Sequence, residues 1–247
     1  VITLSSNVES GYNPTMVNDE IKKVLQKFEL PYGYSFKFGG EQEKQAEEMA
    51  FLSNALLLAI FMIFLIIVSQ FNKVTTPFII MISVILSTIG VFMGLIIFQM
   101  EFVVIMTMIG IISLAGIVVN NAIVLIDFIE VSRKRKRTEL GLDRLEISHI
   151  VDAIAEAGAT RLRPVLLTAI TTILGLIPLA VGINIDFMKF LSEYDADFYF
   201  GGDNVAFWGP MSWTIIFGLT FATFLTLIIV PVMYLFFAHI NRRLGLS

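Results

Sequence analysis

The chain has 247 residues, of which 56% are hydrophobic and 15% charged, and its mean hydropathy is +0.82. Soluble proteins average roughly 45–50% apolar and 25% charged residues, so this composition excludes a soluble enzyme and a nucleic-acid-binding module. The 17 basic and 21 acidic residues give a net charge of −4, and the absence of Cys excludes disulfides and thiolate metal sites.

The first 45 residues differ from the rest and predict a small α+β segment. Residues 1–7 and 34–38 are predicted as short strands, and Asn13-Pro14 followed by apolar residues at helical spacing predicts a helix between them. A strand–helix–strand unit of this size is too small to bury a core alone. We therefore expect residues 1–45 to end a larger extramembrane subdomain, in a chain that is a fragment lacking its amino-terminal part.

Five later stretches contain no Asp, Glu, Lys or Arg, and each is longer than the ~20 residues that a bilayer helix needs. Five such stretches in series predict an all-α membrane bundle of five transmembrane helices, preceded by the small α+β fragment. The expected transmembrane domain covers residues 46–247, with helices near 49–71, 76–98, 103–129, 163–183 and 211–239 and a cytoplasmic amphipathic helix near 144–158.

The basic residues near the spans predict the orientation of the bundle. Glu130–Arg163 carries eight Lys or Arg, and Lys73, Arg242 and Arg243 bring that side to eleven, whereas the loops between spans on the other side, Met100–Glu101 and Asn184–Pro210, carry only Lys189. Basic residues are enriched on the cytoplasmic side of membrane proteins. The amino-terminal part is therefore expected outside the cytoplasm, in the periplasm, and the carboxyl terminus inside.

Small and polar residues line one face of three of the spans. On the second span, a face of small residues predicts close helix packing; it comprises Ser83, Ser87, Gly90 and Gly94. On the third span the aligned residues are Ser113, Gly116, Asn120 and Asp127, with Asn121 beside them. Amides inside a membrane need partners or water, so this face indicates either structural hydrogen bonds between helices or part of an ion or proton path.

The fourth span carries a similar face with a basic residue at its cytoplasmic end. The face comprises Arg161, Thr168, Thr172 and Gly175, with Thr171 beside it. Pro164 is predicted in the first helical turn, and Pro178 lies well inside the helix, where it favours a kink. A Thr in a membrane helix often donates only to its own preceding turn, which leaves packing as the alternative to a proton path.

Three motifs in these segments resemble the resistance–nodulation–division (RND) efflux permeases. They are Gly39-Gly40-Glu41 before the first span, the sequence GIVVNNAIVLID of residues 116–127, and RLRPVLLT of residues 161–168 followed by Gly175 and Pro178-Leu179. The resemblance covers nearly the whole chain, and the RLRP block is its most specific part.

This resemblance implies a permease of twelve transmembrane helices in two repeats, of which the chain would supply the end of the second porter insertion and the last five helices. It implies a homotrimer in the Gram-negative bacterial inner membrane that uses the proton gradient to export drugs or other amphiphilic compounds. The implied partners are the missing N-terminal repeat, a periplasmic adaptor (membrane fusion) protein, an outer-membrane channel and the lipid bilayer. No enzyme activity, cofactor, metal or nucleic acid is expected.

The resemblance also implies coupling residues, with one departure. They are Asn120, Asn121, Asp127, Arg161, Thr168 and Thr172, and the expected helix-packing residues are Ser83, Ser87, Gly90, Gly94, Gly116 and Gly175. Well-known drug pumps of this family carry a Lys at the position of Asn120, and an Asn supplies no positive charge. Two alternatives remain within the superfamily, a protein-translocation accessory subunit and a metal-ion exporter. An intramembrane enzyme would need a catalytic motif that the spans lack.

The predicted orientation can be tested by labelling single cysteines. Ser192→Cys is expected to react with a membrane-impermeant thiol reagent in intact cells whose outer membrane has been permeabilised, because it lies in a predicted periplasmic loop. Thr138→Cys is expected to react only after lysis, because it follows the basic cytoplasmic run. Labelling of Thr138→Cys but not Ser192→Cys in intact cells would reverse the topology.

Overall fold

The computed structural model describes residues 6, 14–25, 28, 31, 39, 41–71, 73, 75–142, 144–185 and 198–243. Its elements, in chain order, are α1 (Pro14–Leu25), α2 (Glu41–Phe71), α3 (Thr75–Ile97), α4 (Val104–Leu140), α5 (Ile147–Val181), β1 (Ile183–Ile185), β2 (Phe198–Phe200) and α6 (Asp203–Arg243). Apart from Ser6, the two strands predicted at residues 1–7 and 34–38 lie outside the described residues.

The chain divides into two compact units, Val1–Phe51 and Leu52–Ser247. In the first unit, α1 begins at Pro14, where the missing N–H has no helical partner to lose. Its last turn carries Lys22 and Lys23, whose charges suit the negative end of a helix dipole.

The second unit consists mainly of membrane-spanning helices. Each of α2 to α6 contains a segment long and apolar enough to cross a bilayer. The chain is therefore a multi-pass membrane protein with a helical bundle.

α3, α4 and α6 form the centre of this bundle, and α6 contacts α3, α4 and α5. The centre is built from apolar side chains without solvent exposure, such as Ile80, Val91, Leu114 and Leu219. By contrast, α2 and α5 leave most of their apolar surface exposed, and Leu58 and Leu167 are examples. Lipid or further protein must cover those surfaces in a membrane.

Glycines allow α6 to approach α3 and α4 closely. A Cβ added at Gly90 would lie 2.3 Å from the Cβ of Phe221, and one at Gly94 would lie 2.2 Å from the Cγ of Phe217. A Cβ at Gly218 on α6 would lie 2.2 Å from a methyl carbon of Leu114 on α4. Because carbon atoms do not approach to 2.3 Å without a bond, these positions require glycine in the present packing.

The serines of the small-residue face on α3 are buried with these glycines. Ser83 and Ser87 are each 1% exposed. Their hydroxyls donate within the helix, to the carbonyl oxygens of Ile79 at 3.3 Å and Val84 at 2.7 Å. They therefore contribute small volume rather than bonds between helices.

The helices extend beyond the boundaries predicted from hydrophobicity. α2 begins at Glu41 rather than 49, and α6 runs from Asp203 to Arg243 rather than over 211–239. α4 continues to Leu140 instead of ending at 129, and Gly141 then closes it with a φ of 61°, in the left-handed region that favours glycine. Charged residues such as Arg and Glu are good helix formers, so the end of an apolar run does not end a helix.

The amphipathic helix predicted near 144–158 and the span predicted at 163–183 are not separated in the structure but form the single helix α5. Pro164 consequently lies inside α5 rather than in a first turn. An interior proline removes one backbone hydrogen bond, and helices in membrane proteins tolerate that loss where neighbouring structure supports them.

Packing against α4 explains why α5 continues through this region. The amino-terminal half of α5 buries one apolar face, which comprises Ile150, Ala153, Ile154 and Ala157. Its polar side pairs with residues 130–140, the extension of α4 beyond the predicted span. Arg135 contacts Glu156, and the Nζ of Lys136 lies 3.8 Å from the Oδ2 of Asp152. The two helices therefore pair beyond their apolar parts.

A two-stranded hairpin joins the far end of α5 to α6. β1 and β2 pair antiparallel, with Ile183 opposite Phe200. The amide of Asn184 donates to the carbonyl oxygens of Gly182 at 3.2 Å and Gly201 at 2.7 Å. The indole N–H of Trp213 donates to the carbonyl oxygen of Ala180 at 3.0 Å. These bonds fix the end of α5 to the beginning of α6.

The close contact between α3 and α6 generates a stability prediction. Gly94→Ala is expected to destabilise the protein by about 1–3 kcal/mol, because the new methyl overlaps Phe217. The measurement is the thermal unfolding midpoint of the purified protein in detergent.

Gly158→Ala on α5 provides the matched control, since no described atom lies within 4 Å of its added Cβ. Ala favours a helix over Gly by about 1 kcal/mol, so this variant is expected to unfold at the same temperature or slightly higher. An equal loss of stability in both variants would contradict the proposed role of the α3–α6 contact.

Candidate functional site

The residues singled out on the third and fourth spans meet at the contact between α4 and α5. The hydroxyl of Thr168 lies 3.4 Å from the Oδ1 of Asn121. A second contact lies seven residues after Asn121 on α4 and seven residues before Thr168 on α5. There the guanidinium carbon of Arg161 lies 4.5 Å from the ring centroid of Phe128. Seven residues span two turns, or about 10 Å, so the antiparallel helices stay side by side between these two contacts.

The contact between Asn121 and Thr168 lies nearer the middle of the two predicted spans than the contact between Phe128 and Arg161. Asn121 is 6% exposed, so its amide lies within the bundle. The Thr168 hydroxyl also faces the carbonyl oxygen of Val165, at 2.9 Å, in its own helix. A single hydroxyl proton is thus shared between a short bond within α5 and a longer one to α4. This arrangement lets Thr168 change its partner with little movement.

The second contact holds the guanidinium of Arg161 against the ring of Phe128. A guanidinium over an aromatic face is attracted by the ring quadrupole. The Nε of Arg161 is buried and has no hydrogen-bond partner among the described residues. Phe128 was not among the site residues predicted from the sequence. Its position seven residues after Asn121, on the same side of α4, is the signal that could have identified it.

A polar face of both helices remains open to the outside of the described bundle. The exposed positions on α4 are Ser113, Gly116, Asn120 and Asp127, and those on α5 include Thr168, Thr171 and Gly175. Asp127 forms no hydrogen bond or ion pair with any described residue. Polar groups of this kind are costly against lipid, so this face is suited to water or to another polar protein surface.

The two glycines of this face differ from those of α3. Nothing in the described part of the chain lies within 4 Å of a Cβ added at Gly116 or Gly175. The packing predicted for them is therefore absent within this unit. Their absent side chains instead leave the backbone of α4 and α5 accessible.

Thr171 and Thr172 form bonds within their own helix. The hydroxyl of Thr171 donates to the carbonyl oxygen of Leu167 at 2.8 Å, and that of Thr172 to the carbonyl oxygen of Thr168 at 2.8 Å. This is the alternative considered for an intramembrane Thr. Among these three threonines, Thr168 alone also reaches α4.

The chemistry available to this face is limited to orientation and charge. Neither Asn nor Thr titrates near neutral pH, and Arg remains protonated. Asp127, at the end of the face near Arg161, is its one carboxylate. Three or more His, Cys, Asp or Glu side chains do not come together as a metal site anywhere in the described ranges. The face can orient water and set a local potential.

Comparison with known proteins shows where these helices occur elsewhere. A family model described as the AcrB/AcrD/AcrF family matches residues 1–185. The swarming motility protein SwrC of Bacillus subtilis is 37% identical over 231 residues, which cover 94% of this chain and 19% of SwrC. The multidrug resistance protein MdtC of Klebsiella pneumoniae is 26% identical over 243 residues, which cover 98% of this chain and 21% of MdtC.

A solved structure shows a similar fold. The crystal structure of a heavy metal efflux pump matches with a TM-score of 0.66 and 26% identity, over 91% of this chain and 20% of the pump. The chain therefore spans about a fifth of the length of the proteins that it resembles.

The different environments of the two adjacent amides generate a prediction. Asn121→Ala is expected to lower the free energy of unfolding by about 1 kcal/mol, because it removes a buried amide that faces another helix. Asn120→Ala, on the exposed face, is expected to leave the free energy of unfolding unchanged. The measurement is thermal unfolding in detergent, and equal effects of the two substitutions would contradict this placement.

Proposed function

Because this chain belongs to the AcrB/AcrD/AcrF family, we propose that it forms part of a longer, proton-driven permease that exports drugs or other amphiphilic compounds. Relatives over the same segment include a multidrug resistance protein and an efflux pump, and these are transporters rather than enzymes. Such a permease would use no catalytic residue and no cofactor in this chain, and the proton gradient would supply the energy.

The observation that carries this proposal is the exposed polar face of α4 and α5. Elsewhere in the bundle, membrane hydroxyls such as those of Thr223 and Thr226 are buried and donate to their own helix. The exposed amide of Asn120, by contrast, has no partner in the described unit. Such a face fits a contact with the other repeat of a permease, where polar groups and water would satisfy it.

The proposed roles of the residues follow from their chemistry. Carboxylates supplied by the rest of the permease would carry the proton. Asn120 would hydrogen-bond an ionised carboxylate and release it on protonation. Arg161 would set the electrostatic potential at the cytoplasmic end of the path. Thr168, about 10 Å further along α5, would orient water between itself and Arg161. Asn121, Asp127 and Thr172 complete the proposed path.

The proposal extends to location and assembly. The permease would lie in the inner membrane, with the amino-terminal part of this chain in the periplasm and its carboxyl terminus in the cytoplasm. It would work as a homotrimer together with a periplasmic adaptor protein and an outer-membrane channel. The support for these features is the similarity to the family and the distribution of basic residues.

Metal-ion export is a second candidate, favoured by the similarity to a heavy metal efflux pump. Amides at positions 120 and 121 offer a cation no charged ligand. Cells that express the complete permease would separate the two functions. Raised tolerance to dyes and detergents supports amphiphile export, and raised tolerance to divalent metals alone supports metal export.

Substitutions on the exposed face test the proton-coupling proposal. In the complete permease, Asn120→Ala, Arg161→Ala and Thr168→Ala are each expected to reduce proton-coupled efflux to background. Assembly and substrate binding should persist, because these side chains contribute coupling rather than the fold. The measurement is dye efflux from energised proteoliposomes between pH 6 and 8.

Thr220→Ala is the matched control for Thr168→Ala. Thr220 is an exposed threonine on α6 whose hydroxyl donates only to the carbonyl oxygen of Ile216, at 2.7 Å. Its replacement is expected to leave efflux within about twofold of the unsubstituted rate. Unchanged transport by both Asn120→Ala and Thr168→Ala across this pH range would show that the polar face serves packing alone.

A further inference from the structure

A cavity of about 950 Å³ lies at the end of the bundle opposite the hairpin, between the beginning of α3, the extension of α4 and the end of α6. Its basic lining residues are Lys73, Arg133, Lys134, Arg137, Arg144 and Arg242. Glu130 and Glu146 are the carboxylates in its wall. The remaining wall is apolar and includes Val131, Leu145, Ile150 and Phe237. The cavity thus combines strong positive charge with an apolar surface.

A chain of polar contacts forms one wall of the cavity. The Nζ of Lys73 lies 2.8 Å from both carboxylate oxygens of Glu130. The hydroxyl of Tyr234 donates to Glu130 Oε1 at 3.3 Å and accepts from Arg133 Nη1 at 2.6 Å. Tyr234 is 6% exposed, so its hydroxyl is shielded from water, whereas the side chains of Lys73 and Glu130 are 49% and 28% exposed. This chain of contacts satisfies Glu130 and fixes the position of Arg133.

This wall leaves positive charge without a protein partner. The Nε of Arg133 is buried and has no acceptor among the described residues. Lys134, Arg137, Arg144 and Arg242 form no ion pair with any carboxylate that the structure describes. The six basic side chains therefore exceed the two carboxylates of the lining, and Lys73 already neutralises Glu130.

The neighbouring basic residues of α4 behave differently. Arg135 contacts Glu139 and Glu156, and Lys136 lies 3.8 Å from Asp152. Neither of these two residues lines the cavity. Basic residues on the side of α4 that faces α5 thus have carboxylate partners, whereas those of α4 on the cavity side have none among the described residues. Charge accumulation is specific to the cavity rather than a property of the whole basic run.

We propose that this cavity binds the phosphate headgroup of an anionic phospholipid from the adjacent leaflet of the membrane. A phosphate diester would take the unpaired guanidinium and ammonium donors, which suit phosphate oxygens. Acyl chains would lie along the apolar wall, at the ends of the membrane spans. Basic pockets between helices at the ends of membrane spans are suited to anionic headgroups. A soluble phosphate ester shares the charge but gains nothing from the apolar wall.

The test compares lipid binding by variants of the full-length protein, which are purified and reconstituted in nanodiscs. The probe is phosphatidylglycerol titrated into a phosphatidylcholine background, with bound lipid counted by native mass spectrometry. Each basic side chain at a membrane surface contributes roughly fivefold to affinity. The double variant Arg137→Gln/Arg144→Gln is therefore expected to bind phosphatidylglycerol at least about tenfold more weakly. Arg242→Gln, on α6, is an independent variant expected to lose about fivefold.

Arg135→Gln/Lys136→Gln is the matched control, since it removes the same charge from the same region outside the cavity. It is expected to keep its affinity within about twofold. Equal losses in the two double variants would overturn the proposal in favour of diffuse attraction to the membrane. Glycerol 3-phosphate should not displace the lipid at millimolar concentration. If glycerol 3-phosphate displaced the lipid, and phosphatidylglycerol bound no more tightly than phosphatidylcholine, the cavity would be a site for soluble phosphate esters. The lipid assignment would then be wrong.

Discussion

A polar group within hydrocarbon has no water to bond with, and this constraint separates two kinds of helix face in the bundle. At its centre the buried hydroxyls of Ser83, Ser87, Thr223 and Thr226 donate to carbonyl oxygens of their own helices, so α3 and α6 interact there through complementary shape. On α4 and α5, the amide of Asn120, the carboxylate of Asp127 and several hydroxyls face outward from the described unit. A surface of the second kind is stable in a membrane only when water or another protein covers it. The two kinds of face therefore mark a packed centre and a boundary of the described unit that needs a polar cover.

Hydrophobicity and spacing predicted much of this arrangement, since five uncharged runs correspond to five long helices. The prediction failed where polar residues extend a helix. α5 crosses Pro164 because its amino-terminal half packs and pairs with the extension of α4, and a contact between distant segments is not readable from local sequence. Similarly, Gly90 and Gly94 were identifiable by their spacing, whereas their partners Phe217 and Phe221 depend on the rotation of α6.

The candidate site was predictable in its residue types but not in their orientations. Adjacent amides point about 100° apart around a helix, and the sequence alone does not say which of them faces inward. The structure turns Asn121 toward Thr168 and leaves Asn120 outside. It also introduces Phe128 as the surface that holds Arg161. A side chain kept in place by an aromatic ring needs no counter-charge within the same unit, which leaves its charge available to a neighbour.

The central position of α6 has a consequence for the way this protein enters the membrane. Spans are delivered to the bilayer in chain order, and α6 is the last of the five described here. Until it arrives, Gly90 and Gly94 on α3 and Gly110 on α4 lack the side chains that cover them. The earlier spans can therefore complete their mutual packing only after α6 has been inserted. Early termination of synthesis would leave several stable helices without their common partner, a substrate for membrane quality control.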